Sequence, residues 1–205
     1  AEVAVNNAHG VATLNMLKSL VAYSHPDFMT FDSNATQAEW EAGNLALATM
    51  WGSRGVAVLD GEGSSDAVES STVLSSAPTW GGKSRPASTL WWDGISISAN
   101  ISDEDAEATF IAMMHGISPE VIAANNAATV WLGKGYTPGR TSAGVSATAA
   151  GGAAPYPMLP FMGTLHSALG SEISDFLQGS ESAEQALSDV EAAYTAAATE
   201  KGFLK

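Results

Sequence analysis

The chain contains no cysteine, which removes disulfides, thiolate chemistry and cysteine-ligated zinc or iron–sulfur sites. It is also poor in positive charge: 8 Lys plus Arg stand against 22 Asp plus Glu, a formal charge of -14 over 205 residues. The basic residues are scattered singly. So acidic a chain repels a phosphate backbone, and nucleic acid and anionic membrane surfaces are not expected as partners. No apolar run reaches the ~18 residues of a membrane-spanning helix. His9, His25, His115 and His166 are far apart and form no His-Glu-x-x-His pattern, so no metal is expected. Neither a Gly-x-Ser-x-Gly elbow nor a phosphate- or dinucleotide-binding glycine loop occurs, and no cofactor is expected. The first residues, Ala1-Glu2-Val3-Ala4-Val5, carry no signal-peptide pattern. That reads as a leader already removed or a start inside a longer protein.

What the chain does have is a 45% hydrophobic content and a mean hydropathy of +0.06, enough for a buried core. Val11, Leu14, Leu17 and Val21 keep a helical stripe over residues 8–24, stopped by His25-Pro26. Thr36 and Glu39 suggest a capping box for a short helix ending at Gly43. Leu45 to Trp51, Thr72 to Ala77 and Leu90 to Ala99 read as strands. Residues 60–71 and 79–89 read as exposed connections. Ser102, Ser118 and Ser182 are N-cap signals for three helices, Ser118 with Pro119 at the first helical position. Residues 133–157 read as a long connection, and a further helix is expected near 162–178. Strands separated by helices predict an α/β class.

Among six tryptophans, Trp51 falls at the end of one expected strand and Trp91 and Trp92 at the start of another. Ligands of α/β proteins bind where strands meet their loops. An indole there offers a flat apolar face to a sugar ring, and the neighbouring Asp93, before Gly94, can accept from sugar hydroxyls. The alternatives are that these tryptophans pack a core and that Asp93 bonds its own backbone in a turn. Arg140 is a candidate ligand contact or a partner for an acid, and His166 is the one histidine placed near a site. A glycoside hydrolase would use Asp93 and a second carboxylate, which the sequence does not single out.

A resemblance sharpens this reading. Trp40-Glu41-Ala42-Gly43-Asn44-Leu45-Ala46-Leu47-Ala48-Thr49-Met50-Trp51-Gly52 is similar to the passage running from an aromatic residue through Gly and Ala-Met to Trp-Gly in bacterial extracellular solute-binding proteins. These are the sugar receptors of ABC importers, the maltose-binding-protein-like family. Trp92-Asp93-Gly94-Ile95-Ser96-Ile97-Ser98 resembles its strand leading into the hinge, and Asp105-Ala106-Glu107-Ala108-Thr109-Phe110-Ile111 the helix that follows. Gly135-Tyr136-Thr137-Pro138-Gly139-Arg140 resembles its Gly-x-x-Pro-x-Arg turn, and Gly179 to Leu187 the start of its terminal helix.

Family members are longer, and the match falls on their C-terminal half. The resemblance therefore implies the C-terminal half of a two-lobed, periplasmic-binding-protein-like (type II) α/β fold. Residues 1–97 plus 150–205 would form the C-terminal lobe, and 98–149 a hinge crossing and a segment of the other lobe. It implies a non-catalytic, periplasmic receptor that captures a sugar, an α-glucoside or related oligosaccharide, or else a polyol, and delivers it to the importer's membrane subunits. Trp51 would stack on the sugar. Trp92, Asp93 and Gly94 would line the same pocket, with Arg140 and His166 as further contacts. The face of Phe110, Met113, Met114, Val121, Ile122 and Trp131 would be left to self-association or to folding back on its own lobe.

Overall fold

A computed structural model describes residues 1–59 and 62–205; Asp60 and Gly61, at the start of the expected loop over 60–71, lie outside them. The expected α/β fold is overturned. Among the described residues the structure is 52% helical, with two short parallel strands, and is therefore mostly helical rather than a periplasmic-binding-protein-like sheet. A parallel strand must hydrogen-bond to neighbours and have both faces covered. Of the segments expected to do so, Leu45 to Trp51 and Thr72 to Ala77 join no strand and Leu90 to Ala99 contributes Leu90 alone; Leu47 is 94% and Val73 82% exposed. The two strands are β1 (Thr89–Leu90) and β2 (Ala154–Pro155), in the register Thr89 to Ala154 and Leu90 to Pro155.

The chain divides into two compact units. The first joins Ala1–Phe31 to Pro157–Lys205 and is built on α1 (Ala8–Val21), α8 (Met162–Gln178) and α9 (Ala183–Glu200). Asn7 caps α1 by accepting from the His9 and Gly10 amides, and Ser182 caps α9 by accepting from the Gln185 amide. The stripe Ala183, Ala186, Leu187, Val190, Tyr194 and Ala198 of α9 is buried. It packs with Leu14 of α1 and with Ala168 and Phe176 of α8. Each large apolar side chain so buried contributes about 1.5–3 kcal/mol. The buried Tyr194 hydroxyl is satisfied by donating to the Ala1 carbonyl.

The end of α8 shows how local chemistry stops a helix. Gly179 takes a left-handed φ of 91°, its amide donates to the Phe176 carbonyl, and the Ser180 amide reaches back to the Asp175 carbonyl. This pair of bonds is a Schellman motif. Lys18 of α1 then places its ammonium on the Phe176 and Leu177 carbonyls, where the helix dipole favours a cation.

The second unit, Asp32–Tyr156, holds α2 (Ser33–Glu41), α3 (Gly52–Leu59), α4 (Asp66–Ser71), α5 (Asp103–Gly116), α6 (Pro119–Ala124) and α7 (Ala143–Ala150), besides the strand pair. Asp32 caps α2 through the Asn34 and Ala35 amides, one turn earlier than the Thr36–Glu39 box predicts. Its carboxylate reaches the free amides first, and the Thr36 hydroxyl instead donates to the Asp32 carbonyl. Helix α4 forms where a loop is expected, because Ser65 caps it and Asp66 and Glu69 occupy its first turn. Helix α7 likewise interrupts the expected connection over 133–157. Val56, Val58 and Leu59 of α3 are buried, with Ile122 of α6 and Ala153. Arg54 of α3 ties the core to α2 by donating to the Gln37 side chain and the Ser33 hydroxyl. Buried Thr148 satisfies its own hydroxyl on the Gly144 carbonyl and accepts from the Ala77 amide.

Candidate functional site

The candidate residues lie on both units. Trp51 ends the extended stretch before α3. Its carbonyl accepts from the Arg54 amide, starting the helix, and its side chain is 64% exposed. Trp92, Asp93 and Gly94 follow β1 as one exposed extended segment, with Trp92 37% exposed. A Cβ built on Gly94 would meet nothing within 4 Å, so glycine here leaves the backbone open to an approaching group.

Arg140 opens the short 3-10 turn Arg140–Ser142. Its guanidinium pairs with Glu69 at 3.4 Å and also donates to the Glu69 and Thr72 carbonyls at the end of α4. A cation on the last carbonyls of a helix is a favourable placement, and Arg140 thereby ties α4 to the turn that follows Gly139. His166 sits on α8, in the other unit, and is exposed. Among the described residues no group of three or more His, Asp or Glu side chains is placed to hold a metal ion, and no helix is long and apolar enough to cross a membrane.

Sequence reasoning passed over Tyr156, and named Trp91 as a strand-end aromatic beside Trp92 without placing it in the pocket. Because β1 and β2 run parallel and in register, the residues just beyond them, Trp91 and Tyr156, emerge side by side. Their ring centroids are 4.2 Å apart and inclined by 49°. The Tyr156 amide donates to the Leu90 carbonyl at 2.9 Å, extending the register one step past the strands. Trp91 remains 55% exposed. Nothing near either residue in the chain signals this pairing, since it depends on a contact between segments distant in sequence.

No protein-family model matches the chain, and no curated protein matches it.

Proposed function

We propose that the chain is the ligand-binding component of an ABC importer, a non-catalytic receptor that captures a sugar outside the inner membrane and passes it to the importer's membrane subunits. The observation that carries this reading is the placement of Trp51, Trp91 and Trp92. Three large aromatic side chains stand 64%, 55% and 37% exposed on one unit of the chain, with a carboxylate, Asp93, directly following. Exposed indoles cost free energy in water, and aromatic side chains with one open face and a polar neighbour suit ligands that are apolar on one face and hydroxylated at the edge. The five ordered sequence motifs, two of which contain Trp51 and Trp92–Asp93, point the same way. The formal charge of -14 favours a neutral ligand over an anionic one.

In this reading Trp51 stacks on a sugar ring. Asp93 accepts from hydroxyls next to Trp92, and Gly94 lets the backbone come close. The importer then distinguishes liganded from free receptor by whatever population the ligand favours. A ligand that binds only the folded chain stabilises it by about 2.7 kcal/mol at a hundredfold excess over its dissociation constant. Thermal shift and calorimetric titration against maltose, trehalose, sucrose, sorbitol and mannitol test the proposal. The expected outcome is a concentration-dependent rise in Tm with at least one of them and no new reducing ends after long incubation. A flat response to the whole panel overturns the receptor reading, and new reducing ends would make the chain an enzyme.

A further inference from the structure

We infer that the Trp91–Tyr156 pair is a pyranose-binding subsite, so that the ligand is a cyclic glycoside and not an open-chain polyol; this rests on the sugar-receptor reading above and narrows it. The geometry of the pair is the reason. Adjacent strands lie about 4.8 Å apart, and the 4.2 Å separation of the ring centroids follows from the parallel register of Leu90 with Pro155. With the rings inclined by 49°, Tyr156 backs one side of the indole, while Trp91 keeps 55% of its surface in solvent. The result is a supported aromatic surface and not a mobile side chain.

The support is also stiff. Tyr156 lies between Pro155 and Pro157. Pro155 has a fixed φ, and Pro157 restricts the residue before it to extended conformations. The Tyr156 amide is held by the Leu90 carbonyl. A surface ordered in advance loses little entropy on binding.

Such a surface discriminates by shape. A pyranose presents a rigid patch of C–H bonds on one face and its hydroxyls at the edge, which matches a flat indole with a carboxylate nearby. Asp93, two residues after Trp91 on the same exposed segment, supplies that carboxylate. An acyclic polyol has hydroxyls along its length, offers no flat apolar face, and must freeze several rotors to imitate one.

The test uses the intact chain, with tryptophan fluorescence and calorimetry read against maltose and trehalose on one side and sorbitol and mannitol on the other. A pyranoside is expected to bind at least tenfold tighter than either polyol. Trp91→Ala and Tyr156→Ala should each weaken the pyranoside by about tenfold. Trp91→Phe and Tyr156→Phe, which keep a ring, should retain most of the affinity. Circular dichroism confirms that each variant is folded, and the phenylalanine variants keep the test valid should an alanine variant unfold. Equal or tighter binding of the polyols overturns the inference. So does unchanged pyranoside affinity in folded Trp91→Ala while Trp51→Ala still weakens binding, an outcome that leaves the receptor reading standing. Absence of binding by every compound overturns both.

Discussion

At the scale of single residues, exposure separates those held by packing from those available to a ligand. Trp51 is 64% exposed, so Trp51→Ala removes little from the fold. If the indole stacks on a sugar, the same change costs about 1–3 kcal/mol of binding. Calorimetry on the variant, with Tm unchanged within a degree or two, is the expected result; undiminished affinity removes Trp51 from the site. Glu181, between α8 and α9, makes a prediction about pH. Partial burial, and then the charges of Asp189, Asp175 and Glu172, hold its carboxyl above the ordinary range, opposed by a backbone hydrogen bond at Phe176. The folded chain therefore holds this proton more tightly than the unfolded chain does. Stability from this group is fully present below its unfolded pKa and is lost as pH rises through its folded pKa. Glu181→Gln should raise Tm at pH 7 and leave it unchanged near about pH 3, where the carboxyl is protonated in both states. An equal gain at both pH values would assign the effect to something other than this titration.

At the scale of elements, what was legible is what local chemistry decides. Ser102, Ser118 and Ser182 announce α5, α6 and α9, and each side chain accepts the amide bond expected of it. The stripes of α1 and α9 and the stop at Gly179 depend on spacing and backbone freedom within a few residues. Strands were misread because a short apolar run such as Leu45 to Trp51 looks the same whether or not a neighbour pairs with it. Pairing is decided by segments far away in the chain, and the same dependence hid the Trp91–Tyr156 contact. Helix α5 sets the opposite problem. Its caps and acidic first turn are legible, yet none of its residues is buried, and Phe110, Ile111 and Met114 are 54%, 62% and 48% exposed. Helices held mainly by caps are marginal, so α5 amides should exchange with solvent much faster than those of α9. Two glycines separate backbone requirement from sequence habit. Gly179→Ala forces a side chain into a left-handed conformation, at 3.3 Å from the Lys18 ammonium, and should cost about 1–2 kcal/mol. Gly116→Ala, at the end of α5 with nothing within 4 Å of the new Cβ, should stabilise by about 0.4–1 kcal/mol. Urea melts of both variants give the comparison, and a neutral Gly179→Ala would contradict the C-cap account of α8.

At the scale of the whole molecule, charge is the property that the sequence states most directly and that the fold does least to hide. The chain carries 22 acids and 8 bases. Among the described residues one ion pair forms, Arg140 with Glu69, so little of the acid excess is met by direct pairing. Most of the described acids are exposed, and their mutual repulsion opposes the compact state. Salt shortens the reach of that repulsion, from about 10 Å at 0.1 M to about 3 Å at 1 M. Sodium chloride should therefore raise Tm at pH 7, steeply at first and then levelling off. The sign follows from the net charge, because attraction between paired charges would be screened too and would move Tm the other way. Lowering the pH toward the isoelectric point of about 4.4 removes the excess charge, and with it the effect. Melting curves across a salt series at the two pH values decide the matter. A Tm that climbs with salt equally at both would show that salt acts through burial of apolar surface and not through the -14 charge.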